Sequence, residues 1–302
     1  MQVLIAGGSG YIGRALTKHL SDEGHRVVVL SRNPKNSALP SGVVVMGWDG
    51  DSSKGWGHVV EETDAIVNLT GENLAAGRWT PARLKKIIAS RLDPGRAIVE
   101  AVDQAARKPA VIFQASAVGY YGKLGDQVVT EDSPPGQDSL AKIVVDWENS
   151  IRSAEDLGVR VVIGRSGLVL SRQSLALKPL ILQYRLFAGG PIGSGKQWWS
   201  WITLQDEVRA IQYLLENEKA QGAFNLTAPE PLVMEDFGRL LASALRRPFW
   251  LPIPAFALKI VFGEMSTVLL DGQRVIPERL LNLGFTFQYP KLRAALEMIL
   301  SQ

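Results

Sequence analysis

One run of seven residues limits this chain more than any other: Gly7-Gly8-Ser9-Gly10-Tyr11-Ile12-Gly13. It follows a short apolar run, Val3–Ala6, that reads as a strand. It opens an amphipathic stretch, Tyr11–Leu20, that reads as a helix. A strand, a turn with glycine at its first, fourth and seventh positions, and a helix together make the start of a dinucleotide-binding unit. The glycines allow a tight turn, close approach of backbone to a pyrophosphate, and close packing of helix on strand. The start of the helix, with Tyr11 and Ile12, then offers unpaired N–H groups and the positive end of the helix dipole to the phosphates.

The rest of the chain extends that beginning. Apolar runs at Arg26–Leu30, Val43–Met46, Ala65–Leu69, Ala110–Ala115, Val159–Gly164 and Ala223–Leu226 alternate with helical patterns near 11–23, 81–106, 139–157 and 205–217. Such alternation predicts a parallel sheet with helices on both faces, and runs such as Val27-Val-Val-Leu30 suit strands covered on both sides. The expected fold class is α/β, a Rossmann doubly wound parallel sheet with a smaller C-terminal substrate lobe. Residues 1–230 would form the sheet domain, with a Gly/Pro/Trp-rich lobe insertion around 170–204. Residues 231–302, helical and broken by prolines, would complete the lobe.

Composition removes several function classes. Cysteine is absent, so disulfides and thiolate chemistry are excluded. His19, His25 and His58 share no metal-ligand spacing, so no metal site is expected. A net charge of +3, with no dense basic run, gives no support to a nucleic-acid partner. No apolar run reaches the roughly 18 residues of a membrane span. A strand pattern starts at once after Met1, so a cytoplasmic protein without a leader is expected. A protein partner or a homo-oligomer is left open.

Which dinucleotide is read at the end of the second strand. An NAD site places an acidic residue there, about 20 residues after the glycines, for the ribose 2′-hydroxyl. Here Leu30 is followed by Ser31-Arg32-Asn33. Arg32 offers a planar fork suited to phosphate and Ser31 a short hydroxyl, so NADP is the expected cofactor. The alternative is that Arg32 is only a solvated residue leaving the sheet. Asp49, in Trp48-Asp-Gly-Asp51, is read either as an acceptor for the adenine amino group or as a turn-forming Asp beside Gly50. Leu69, Thr70 and Gly71 sit at the C-terminal end of a central strand, where open α/β sheets bind ligands. Glu72 is a ribose acceptor or a helix-start residue. Arg91 and Lys86, on the following helix, are each candidates to meet an anionic cofactor.

These residues resemble the extended short-chain dehydrogenases/reductases, the NAD-dependent epimerase/dehydratase-like type. Matching features are Gly7-x-x-Gly10-x-x-Gly13, Asn68-Leu-Thr-Gly71, Ser116 through Tyr121-Gly122, Trp201-Ile-Thr-Leu-Gln-Asp206 and Gly222-Ala-Phe-Asn225. A narrower similarity is to an atypical epimerase-like subfamily often labelled as cell-division inhibitors. It rests on Asn68-Leu-Thr-Gly-Glu-Asn73, Arg78-Trp79, Ser90-Arg91, Arg165-Ser-Gly167, Gly189-Gly-Pro-Ile-Gly-Ser-Gly195 and Val275-Ile-Pro277. The resemblance implies NADP(H) binding with Ser31 and Arg32 at the 2′-phosphate. It also implies that Leu69, Thr70, Arg91 and Val169 line the cofactor.

The resemblance also implies a Tyr-x-x-x-Lys pair on the helix after the fifth strand, and here the chain departs from it. That helix reads Asp138-Ser-Leu-Ala-Lys142, and no tyrosine lies between Tyr121 and Tyr184. The remaining catalytic candidates are Ser116, Tyr120 and Tyr121, a tyrosine serving as acid and Ser116 orienting a carbonyl. Their alternative role is packing and hydrogen bonding at a strand end. Trp198, Trp199 and Trp201 are either an apolar wall for a small molecule or a packing cluster. The expected function is that of an oxidoreductase or nucleotide-sugar epimerase-like enzyme on a small carbonyl or sugar-like substrate. The alternative is a non-catalytic NADP(H)-binding partner or assembly factor that responds to redox state.

Overall fold

The computed structural model describes residues 1–36, 39–74 and 77–301, with the backbone alone for 36, 261, 262 and 268. In chain order the elements begin with β1 (Gln2–Ala6), α1 (Tyr11–Asp22), β2 (Arg26–Ser31), β3 (Val44–Gly47), β4 (Ala65–Asn68) and α2 (Pro81–Gln104). There follow β5 (Val111–Ala117), β6 (Val128–Val129), α3 (Ser139–Asn149), β7 (Arg160–Ser166), β8 (Leu168–Leu170) and α4 (Leu177–Arg185). Next come β9 (Trp198–Trp199), β10 (Trp201–Thr203), α5 (Leu204–Glu216), β11 (Gly222–Leu226), β12 (Leu232–Val233) and α6 (Met234–Leu245). The chain closes with α7 (Ala255–Phe262), α8 (Thr267–Leu270), β13 (Arg274–Val275), α9 (Glu278–Asn282) and α10 (Leu292–Ser301).

Seven strands form one sheet in the order β11-β7-β5-β4-β1-β2-β3, with every pairing parallel. This is the doubly wound order, and its direction reverses between β1 and β4. Ala6 lies opposite both Leu30 and Asn68, so the glycine turn after β1 opens into the crevice at that reversal. One face is covered by α1 and α5, where Leu16, Leu20, Ile211 and Leu214 pack on Val3, Ile5 and Val67. The other is covered by α2, with Ile98, Ala101 and Val102 against Leu4, Ile66 and Ile112. In α1 the buried positions Gly13, Leu16, Thr17 and Leu20 recur at helical spacing. Each fully buried leucine in that stripe contributes about 1.5–3 kcal/mol relative to exposure.

The strands and first helices follow the sequence pattern, but the predicted helix at 139–157 is two pieces. α3 stops at Asn149 and a 3-10 turn covers Arg152–Leu157. The break falls at Ser150, whose hydroxyl donates to the Trp147 carbonyl at 2.7 Å, the local competition that serine brings to a helix. α2 crosses closely at the same point: a Cβ on Gly95 would lie 2.2 Å from Ser150 Oγ.

The lobe has its own core, in which Tyr184, Trp199, Trp201, Phe237 and Leu296 are buried. It draws on both the 168–203 segment and the C-terminal helices. The segment from α9 to Phe287 instead returns to the sheet, with Leu280, Phe285 and Phe287 packed against the α5 side.

Candidate functional site

The glycine turn is tight because neighbouring backbone leaves no room for side chains. Gly7 has φ of 84°, and a Cβ there would lie 2.9 Å from the Leu69 carbonyl group. A Cβ on Gly13 would meet the Gly7 oxygen at 2.2 Å. Gly10 begins α1 with no side-chain cap, so the first-turn N–H groups of Tyr11, Ile12 and Gly13 stay unpaired within the helix. That donor set suits an anion, and a dinucleotide pyrophosphate fits it.

At the end of β2, Ser31 is buried and its Oγ accepts from the Asn33 N–H at 3.2 Å. Arg32 is exposed, and its side-chain stem passes beside Gly50. Of the two readings of Asp49, the geometry is that of the turn. Its Oδ1 accepts from the N–H groups of Asp51 and Ser52, both at 3.0 Å, and its Oδ2 accepts from the Ser52 hydroxyl. These bonds hold its carboxyl well below the usual range.

After β4, Asn68 Oδ1 accepts from both the N–H and the hydroxyl of Thr70, at 3.2 and 2.6 Å, which shapes the Leu69–Gly71 loop. Glu72 is tied to α2 by its N–H on Ser90 Oγ at 2.8 Å. Arg91 reaches up under this loop, donates to the carbonyls of Ile87 and Glu72, and lies over the Trp147 ring at 4.9 Å. Burial pulls its guanidinium down to about 10, against the opposing charge of Glu72. Lys86 behaves differently: it lies on the exposed side of α2, away from the cavity described next. Val169 is half-buried in β8, opposite Ile202 of β10.

Beside Arg91 opens a cavity of about 540 Å³, between the sheet's C-terminal edge and the lobe. Leu140, Ile143, Val144 and Trp147 of α3 form one wall, and Leu168, Trp198 and Trp199 another. Ala117, Gly119 and Ser166 mark its sheet side. Trp199 and Trp201 are buried in the lobe core, Trp199 packing edge-on to Phe237. Trp198 is half-buried with its indole N–H on Asp126 at 2.8 Å.

Ser116, Tyr120 and Tyr121 are not among the residues that line this cavity. Ser116 is buried and its hydroxyl donates to Glu148 Oε1 at 2.7 Å. Tyr121 is fully buried. Its hydroxyl donates to Asn225 Oδ1 at 2.7 Å and accepts from Arg165 at 3.0 Å. Burial pushes that phenol up to about 12, despite the nearby cation. Tyr120 is half-buried with the Arg165 guanidinium 3.4 Å from its ring centre. The three residues are thus drawn together around a buried Arg165–Glu148 pair. Sequence reading had no means of seeing this, because both charges sit in ordinary strand and helix patterns. Lys142 is exposed and Asp138 accepts from the Ala141 N–H as the α3 cap, so neither makes a Tyr-x-x-x-Lys equivalent.

A second feature went unread. Glu207, in the first turn of α5, is buried, and its Oε1 accepts from the Ser166 hydroxyl at 2.6 Å. Its Oε2 has no partner among the described residues, and burial pushes the carboxyl up to about 8. Ser166 is therefore a cavity-lining hydroxyl backed by a carboxyl that holds its proton at neutral pH. Among the described residues no group of three or more His, Cys, Asp or Glu side chains is placed to hold a metal ion, and no helix is long and apolar enough to cross a membrane.

Comparison with known proteins agrees with this architecture. Residues 3–227 match the model of the NAD dependent epimerase/dehydratase family, and residues 253–299 match a domain of unknown function, DUF1731. An epimerase family protein of Staphylococcus haemolyticus is 39% identical over 98% of both chains. The crystal structure of human epimerase family protein SDR39U1 with NADPH superposes with a TM-score of 0.91, at 35% identity over 100% of both chains. A nucleoside-diphosphate sugar epimerase from Corynebacterium glutamicum aligns with 99% of this chain and 58% of its own, at 31% identity and a TM-score of 0.78. The chain belongs to the NAD dependent epimerase/dehydratase family, with an epimerase-type Rossmann fold and the DUF1731 domain at its C-terminal end.

Proposed function

We propose that this protein is an NADP(H)-dependent oxidoreductase acting on a small carbonyl substrate. The observation that carries the cofactor assignment is the end of β2, where Ser31 and Arg32 stand in place of the carboxylate of an NAD site. The structure of the human relative with NADPH supports the same reading. On this proposal Gly7, Gly10, Tyr11, Ile12 and Gly13 receive the pyrophosphate, and Ser31 and Arg32 receive the 2′-phosphate. Leu69, Thr70, Gly71 and Glu72, underpinned by Arg91, border the ribose on one side, with Val169 across from them. Asp49 orders the loop beside Arg32, and Lys86, exposed on α2, stays a further candidate to meet an anionic group of the cofactor.

When bound, the cofactor supplies hydride chemistry. The chain must then orient a carbonyl and deliver a proton. Ser116 and Tyr121 stand outside the cavity lining whereas Ser166 is part of it, which favours Ser166 as the hydroxyl that meets the carbonyl. Glu207 holds a proton behind it, and with that proton on Oε1 the 2.6 Å contact reverses, so that Glu207 donates to Ser166 Oγ and the Ser166 O–H turns to the carbonyl. As the carbonyl oxygen takes the Ser166 proton, Ser166 takes that of Glu207, which stays ionised until a proton returns through Ser166 from the open cavity. The engagement of Ser116 and Tyr121 also gives weight to a second reading, a binder in which NADP(H) only orders the lobe.

The test follows nicotinamide absorbance of the NADPH-loaded protein against a panel of ketones, aldehydes and quinones. Oxidation by at least one of them, slowed about 10²-fold or more by Ser166→Ala, is the expected result. Stable NADPH with every carbonyl would favour the binder.

A further inference from the structure

The cavity's chemistry narrows the substrate class beyond a carbonyl, and this inference rests on the functional reading above. We infer that the cavity takes an uncharged, largely apolar carbonyl compound, with a ring system or alkyl body, and rejects nucleotide diphosphate sugars.

Three observations carry this. The first is the wall. Beyond Ser139, the α3 face turned to the cavity is Leu140, Ile143, Val144 and Trp147, with Leu168 and Trp198 across from it. A ligand desolvating those side chains gains about 25 cal/mol for each Å² of apolar area buried, whereas a ribose or diphosphate laid on them would lose water without receiving hydrogen bonds from them.

The second is charge. The ionisable residues lining the cavity are two cations, Arg91 and Lys123, and three carboxylates, Asp138, Glu264 and Asp271. Both cations are engaged. Lys123 pairs with Asp271 at 3.0 Å, and Arg91 is held by two backbone carbonyls and the Trp147 ring. A diphosphate entering the cavity would therefore meet net negative charge among the described lining residues, whose two cations already have partners.

The third is the start of α3, which opens into the cavity through Asp138, Ser139 and Leu140. A helix N-terminus is a ready anion site when its N–H groups are free. Here the Asp138 carboxylate itself accepts from the Ala141 N–H at 2.9 Å. The position that could take a phosphate already carries a fixed anion. At about 540 Å³ the cavity lies inside the usual 300–1,000 Å³ range for small-molecule ligands, so chemistry and not size makes the selection.

Loading the protein with NADP+ prevents turnover and allows binding alone to be read. The protein is first titrated with NADP+. 9-Fluorenone and UDP-glucose are then each titrated into the loaded protein, followed by quenching of tryptophan fluorescence and by the shift in Tm. Fluorenone should bind at least about ten-fold more tightly than UDP-glucose. Leu140→Lys, at a half-buried wall position, should weaken fluorenone by about ten-fold or more, while Leu182→Lys on the exposed side of α4 should not. The wild-type ranking stands by itself if Leu140→Lys folds poorly. Equal or tighter binding of UDP-glucose overturns the inference, as does failure of both compounds to bind. Failure of NADP+ to bind in the first titration would instead strike the cofactor reading, which keeps the two failures apart.

Discussion

The guanidinium of Arg165 clasps the carboxylate of Glu148 through two bonds, Nε to Oε1 at 2.8 Å and Nη2 to Oε2 at 3.0 Å, with both residues buried. Around them Ser116, Tyr121 and the Glu131 carbonyl complete the hydrogen bonding. Burial alone would pull Arg165 down, but the bonds and charge of Glu148 outweigh it and hold the guanidinium above its ordinary value. The pair joins β7 to α3 directly behind the cavity wall. Replacing one partner strands the other as a buried charge, so Arg165→Met or Glu148→Leu should each cost about 3–5 kcal/mol. The double replacement should cost well under the sum of the two. Urea unfolding of the three variants measures this, and additive losses would show that the two charges are not coupled.

Glu207 makes stability depend on pH. Its carboxyl rises from an ordinary 4.5 to about 8 in the folded protein. Between those values the folded state holds a proton that the unfolded state has released. Its contribution to stability therefore falls as pH rises from about 4.5 toward 8, by up to about 1.4 kcal/mol per pH unit. Glu207→Gln should flatten that slope and gain on the parent protein most at pH 8. Tyr11, whose ring lies near enough to feel the Glu207 charge, keeps its phenol neutral through this range, since burial raises it above 10.0. Denaturant midpoints at several pH values between 5 and 8 decide the matter, and parallel curves for parent and variant would remove Glu207 as the cause.

The glycine turn should tolerate no side chain. Gly13→Ala would set a Cβ 2.2 Å from the Gly7 oxygen and 2.7 Å from Gly8 Cα, both backbone atoms that cannot rotate away. The expected cost is about 1–3 kcal/mol of stability. A larger effect is expected on dinucleotide binding, because α1 must shift off β1. Gly24→Ala, whose Cβ would touch nothing within 4 Å but whose φ is 82°, separates backbone strain from the clash. It should lower stability and leave dinucleotide affinity near that of the parent, as measured by fluorescence titration of NADPH.

Much of this fold is written in local pattern. Each of the seven sheet strands carries its own apolar run, and the Gly7–Gly13 spacing is readable without any distant partner. The loops after β1, β2 and β4, from which the proposed cradle is built, are legible for the same reason. The cavity side is not, because its chemistry is decided across long separations. Ser116 is turned inward by a glutamate 32 residues later, and Tyr121 by an asparagine 104 residues later. Glu207 looks like an ordinary acidic residue in a helix first turn, and only the packing of α5 on the sheet buries it beside Ser166. Asp49 could be read as turn or ligand from sequence, and its three hydrogen bonds to Asp51 and Ser52 favour the turn.

Ser31 and Arg32 form the proposed 2′-phosphate site of NADP(H). Calorimetric titration of NADPH and NADH into the protein and into Arg32→Ala tests it most directly. A 2′-phosphate site there gives a clear preference for NADPH, about ten-fold or more, that collapses in the variant through loss of NADPH affinity while NADH affinity stays the same. Equal affinities for the two dinucleotides in the parent protein, or a preference that survives Arg32→Ala unchanged, would contradict it.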